Sequence, residues 1–101
     1  MARTLTQPRK LQTPLATDLQ ALGQLIRNRR AHSQLRIDDA AALVGVSKDT
    51  LSRLENGRAV GTDKLMAVVQ GLGLAVFIMD KSSADTALQV IADDPRMKDA
   101  G

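Results

Sequence analysis

Gly45-Val46-Ser47-Lys48-Asp49-Thr50-Leu51-Ser52-Arg53-Leu54-Glu55-Asn56-Gly57 is a short helix held between two chain reversals. Gly45 can take the left-handed backbone that ends a preceding helix without steric penalty. Val46 fills the corner, and Ser47 is a strong N-cap whose oxygen can accept a free amide of the next turn. From Lys48 to Glu55 the apolar residues Leu51 and Leu54 share one side. Lys48, Asp49, Ser52 and Arg53 are left on the other. Asn56-Gly57 stops the helix. The pattern predicts an exposed, polar and partly basic helix placed by a tight turn.

The neighbouring residues supply what this helix packs against. Upstream, a second helix is expected over Ile37–Leu43, with Ile37, Ala40, Ala41 and Val44 on its inner side and Asp38 and Asp39 in its first turn. Alanines on that side permit close helix approach. Before it, Thr17-Asp18-Leu19-Gln20 has the Thr-x-x-Gln form of a capping box with Thr17 as cap. Leu19, Leu22, Leu25 and Ile26 then recur at helical spacing, and Arg27, Arg29 and Arg30 suit a C-terminus near Ala31. Downstream, Thr62 is the expected cap of a fourth helix with the stripe Leu65, Val68, Val69, Leu72, bounded by Gly71 and Gly73.

Leu74-Ala75-Val76-Phe77-Ile78-Met79 is apolar throughout. It reads as a strand with no partner strand in the chain, and the economical way to satisfy its backbone is to pair it with the same segment of a second copy. The alternative is an apolar extension of the fourth helix. The organisation expected is a flexible basic arm at 1–14, marked by Pro8 and Pro14, and a domain at 15–80 that includes a dimerisation strand at 74–79. A flexible or weakly helical tail follows at 81–101, where Ala84, Ala87, Leu88 and Ile91 could line one helix face.

With 101 residues, one domain is expected. One phenylalanine and no tryptophan or tyrosine require an aliphatic core, which favours helix on helix. The absence of cysteine removes disulfides and thiolate chemistry and suits a reducing cytoplasm. No apolar run reaches the roughly 18 residues of a membrane span, so a soluble protein without membrane contact is expected. Net charge is +3, and Arg3, Arg9 and Lys10 make the front of the chain basic, as a polyanion partner would require. Enzyme chemistry is not expected. His32 is the single histidine, with no second histidine or cysteine to form a metal site or nucleophile pair, and adjacent Asp38 and Asp39 diverge around a helix. No cofactor is called for.

Two short helices joined by a glycine turn, the second capped and polar outside, are the arrangement that lays a helix in the DNA major groove. From Leu35 to Leu74 the chain resembles the Xre or Cro/repressor family of helix-turn-helix regulators, on Ala41, Gly45-Val46-Ser47, Thr50 to Arg58 and Gly71-Leu72-Gly73-Leu74. The resemblance implies an all-α, lambda-repressor-like domain of four to five helices and, as partner, a palindromic double-stranded operator. It implies base contacts from Lys48, Asp49, Ser52 and Arg53, phosphate contacts from Ser47, Thr50 and Arg58, and an ion pair between Arg30 and Glu55. Arg53 and Lys48 suit guanine, and Asp49 suits cytosine N4. The chain departs from the family at Arg36-Ile37, where Thr-Gln is usual. Ile37 cannot hydrogen-bond, so Arg36 is the expected replacement phosphate contact. The apolar segment formed by Leu74, Val76, Phe77, Ile78 and Met79 is similar in layout to HipB-type antitoxins, which pair such strands as homodimers, repress their own operon and bind a HipA-type kinase toxin. A stand-alone repressor, and an interaction adaptor that does not bind DNA, are the competing readings.

Overall fold

Asp18 sets the start of the fold: its Oδ1 accepts the Ala21 amide at 2.8 Å and caps α1 (Leu19–His32) in the computed structural model, which describes residues 13–95. Thr17 is therefore not the cap. Asp18 and Thr17 both offer an oxygen three residues ahead of a free amide, and the aspartate takes the position. α2 (Ile37–Val44), α3 (Lys48–Glu55), α4 (Thr62–Gly71) and α5 (Lys81–Ala92) complete an all-helical order among the described residues. α1 runs one residue beyond its expected end, α2 likewise, and α3 has the expected bounds. The N-cap of α4 is Gly61, in extended geometry and with no side-chain cap bond, so Thr62 is the first helical residue. The basic residues of the arm, Arg3, Arg9 and Lys10, lie outside the described residues, as do residues 96–101.

The turn between α2 and α3 follows from Gly45 at φ +81, with its amide and that of Val46 both donating to the Ala41 carbonyl at 3.0 Å. A Cβ there would meet nothing within 4 Å. Glycine is demanded at that site by the backbone alone.

Ile26, Ala40, Ala41, Leu51, Leu54, Val68 and Leu72 form one buried cluster, with Leu22, Leu35, Ile37, Val44, Val46, Val60, Leu65 and Leu74 packed around it. α3 is the hub, in contact with α1, α2 and α4. Two glycines allow the closest approaches. A Cβ on Gly23 would press into the Leu54 and Glu55 carbonyls, the latter at 2.8 Å, so α1 lies directly on the last turn of α3. A Cβ on Gly71 would lie 2.7 Å from Val44 Cβ, so the end of α4 crosses the end of α2.

α4 does not continue into the apolar segment. Gly73 turns left-handed, Leu74 N–H donates to Val69 O at 2.9 Å and Gly73 N–H to Gln70 O at 3.1 Å, the Schellman arrangement that closes a helix. Leu74 to Asp80 has no regular secondary structure, and no strand occurs among the described residues. The expected strand is thus not formed in the single chain, whose described residues hold no second strand to complete a ladder. α5 follows, amphipathic but without a buried residue. No described helix is long and apolar enough to cross a membrane.

Candidate nucleic-acid interface

α3 is fixed from beneath by a buried ion pair. Arg30 Nε donates to Glu55 Oε2 at 2.6 Å and Nη2 to Oε1 at 2.8 Å, and the two residues are only 5% and 4% exposed. This is the bidentate geometry in which guanidinium and carboxylate bind most strongly. Nη1 of the same arginine donates to Leu35 O at 2.9 Å. One side chain of α1 thereby holds both the C-terminus of α3 and the connection entering α2. Gln34, within that connection, takes a positive φ of 56, uncommon for a residue with a side chain. With Leu51 and Leu54 buried, α3 is anchored along its inner side.

At the other end of α3, Ser47 Oγ accepts the Thr50 amide at 3.0 Å and donates its proton to Thr50 Oγ1 at 2.9 Å. The serine hydroxyl is occupied as a donor inside the cap. The Thr50 hydroxyl keeps its own proton to offer outward. Lys48, Asp49 and Arg53 are exposed and Ser52 is half-buried, so the four residues expected to face bases line the outer side of α3. Arg53 Nη2 donates to Ala59 O at 3.2 Å, and Arg58 N–H to Arg53 O at 2.9 Å. Arg53 is thus steadied by the following loop with one of its five N–H donors. Arg58 is exposed on that same loop.

Arg36 is the N-cap residue of α2, extended at φ −72 and ψ 158, exposed, and making no side-chain cap bond. Ile37 packs against the core. The departure at Arg36-Ile37 therefore exchanges a polar position for apolar packing, and in the first turn of α2 the Asp39 amide donates to Asp38 Oδ1 at 3.1 Å. Of the residues expected to form a dimerisation strand, Leu74 touches the core, while Val76, Phe77, Ile78 and Met79 are exposed.

Three structural residues escaped the reading of the sequence. Gly23 carries a visible signal, a glycine inside an otherwise periodic helix. Arg29 donates Nε to Leu72 O at 2.9 Å and so closes the end of α4 from α1, a contact across 43 positions that no local pattern reveals. Asn56 Nδ2 donates to Ser52 O at 2.7 Å, reinforcing the end of α3 where only a stop was expected.

Two helices at a glycine turn, with a capped polar second helix braced on its inner side, define a helix-turn-helix module, whose partner is DNA. The model of the helix-turn-helix domain family matches residues 21–76, more than half of the chain, and the chain belongs to that family. A comparison with curated proteins found no match.

Proposed function

We propose that the chain is a sequence-specific transcriptional repressor of the Xre/Cro type that binds a palindromic operator as a homodimer. The observation that carries this reading is the exposed row Lys48, Asp49, Ser52 and Arg53 on a helix whose underside is locked by Arg30–Glu55. A rigid helix with donors and an acceptor outward is what direct readout of base edges requires. Arg53 and Lys48 take guanine O6 and N7, and Asp49 accepts from cytosine N4. Thr50, Arg58 and Arg36 take phosphates. Ser47 contributes by holding Thr50 more than by its own hydroxyl proton.

The finer reading is an autoregulating antitoxin with a HipA-like kinase as protein partner. It is supported by the apolar segment placed directly after the domain, and a kinase-like reading frame beside the gene would separate it from a stand-alone repressor.

Selection of duplexes from a random pool, followed by anisotropy titrations of the selected site, tests DNA reading. Affinity is expected to fall by orders of magnitude between about 50 and 200 mM salt, as phosphate contacts predict. Arg53→Ala is expected to cost about 1–3 kcal/mol and to relax preference at one base pair per half-site. Salt-independent binding, or no enrichment of any sequence, would point to the adaptor instead.

A further inference from the structure

Drawn out as a strand, the apolar segment would carry two alternating rows. In the first, Leu74 packs against the core, Val76 is 52% exposed and Ile78 is 95% exposed. Cover falls away steadily with distance from the chain's own domain. In the second row, Ala75, Phe77 and Met79 are all exposed. Among the described residues, the backbone of residues 75–79 makes no hydrogen bond. An open backbone edge and a row covered only at its near end require the same thing, a second strand that brings a second domain to the far end. Antiparallel pairing with another copy supplies both.

The rows also select a register. Residues opposite each other in an antiparallel pair lie on the same face. Both domains share one face of the ribbon only if some residue pairs with its own counterpart, since the odd registers put Leu74 of the two copies on opposite faces and leave Ile78 open. Centring on Phe77 would set the Asp80 carboxylate opposite Leu74 at the edge of the core, an unpaired charge at an apolar site. Centring on Ala75 would draw in Leu72, which is buried and whose carbonyl already accepts from Arg29.

We propose that the ribbon is centred on Val76. Val76 stands opposite Val76 of the second copy, Ile78 opposite Leu74, and Ala75 opposite Phe77. The row of Leu74, Val76 and Ile78 from both copies then forms one apolar floor on the two domains, and each Phe77 fills the space left by an alanine. This inference rests on the dimeric reading above and adds its geometry.

The chain has no cysteine, so single cysteines report the register directly. Opposite residues lie about 4.5–5.5 Å apart at Cα and diagonal ones about 7–8 Å, and only the former fall within the roughly 4.4–6.8 Å that a disulfide bridges without backbone movement. Full-length Val76→Cys, Phe77→Cys and Ile78→Cys are oxidised under identical mild conditions and the cross-linked fraction is followed on non-reducing gels. Val76→Cys is expected to cross-link roughly tenfold faster than the other two, on the same distance limit. A mixture of Ala75→Cys with Phe77→Cys should give the mixed dimer faster than either variant alone. Fastest linkage at Phe77→Cys, or equal rates at all positions, overturns the register. Light scattering of each reduced variant separates the two levels. A dimer mass with the maximum elsewhere removes only the register, whereas a monomer at every concentration removes the dimeric reading with it.

Discussion

The same kinds of side chain behave differently at the two ends of this molecule. Around α3, Leu51, Leu54, Ile26 and Val68 are fully enclosed and even the charged pair Arg30–Glu55 is sealed from water. After α4, Val76, Phe77 and Ile78 stand in the open although they are no less apolar. The first region closes around itself within one chain. The second has the composition of a core without the cover of one. Apolar sequence therefore marks where burial is required, and topology decides whether one chain can supply it. The helix-turn-helix unit encloses its own apolar side chains, whereas those of the following segment stay exposed.

The sharpest way to break this comparison is to open the closed region. Glu55→Ala leaves the Arg30 guanidinium buried without its carboxylate, and removal of one member of a buried pair costs about 3–5 kcal/mol. Denaturant unfolding should show that loss, and operator binding should weaken alongside it because the end of α3 is released. A double variant, Arg30→Met with Glu55→Leu, should recover much of the stability, since it removes both charges together. A loss below 1 kcal/mol for the single variant would mean that water reaches the pair and that the recognition helix is held by Leu51 and Leu54 alone.

Next in size is Gly23→Ala. Helix propensity alone favours alanine by about 1 kcal/mol, yet the added methyl would meet the Leu54 and Glu55 carbonyls. Backbone cannot swing aside as a side chain does, so a net loss of about 1–3 kcal/mol is expected. A stabilised variant would show that α1 can slide away from α3. Gly45→Ala isolates the opposite case, because nothing surrounds the added methyl and only the left-handed backbone resists it. About 1–2 kcal/mol is expected there, with the unfolding midpoint as the measurement. The two glycines thus separate a cost of crowding from a cost of conformation.

These contrasts mark how far the sequence could be read. The bounds of α3, its Ser47 cap and the Gly45 turn are local devices, each closed within about four residues, and such devices are legible one position at a time. The outward row Lys48, Asp49, Ser52 and Arg53 follows from the same periodicity. Gly23, Gly71 and Arg29 owe their roles to atoms on other helices, the Leu54 carbonyl, the Val44 side chain and the Leu72 carbonyl. No periodicity reports those. The cap of α1 is Asp18, one residue from the expected Thr17, because both offer an acceptor oxygen near the first free amides and local pattern does not rank them. For Leu74–Met79, composition raises the expectation of a strand, while the described residues of a single chain hold no second strand to form the ladder.

The smallest effect on the domain is expected from Val76→Asp, and that is its value. At dilutions low enough to dissociate the parent, the two proteins should unfold within about 0.5 kcal/mol of each other, as for surface substitutions away from packed sites, because Val76 is half open in the single chain. At higher concentration they should part company. The parent gains apparent stability with concentration, as linkage to association requires, and the variant does not. Operator binding should divide in the same way: affinity for one half-site is unchanged, while affinity for two half-sites about 34 Å apart drops, since two heads must be joined to exploit that spacing. A variant that loses stability even at high dilution would place Val76 inside the closed region and erase the distinction between the two halves of the molecule.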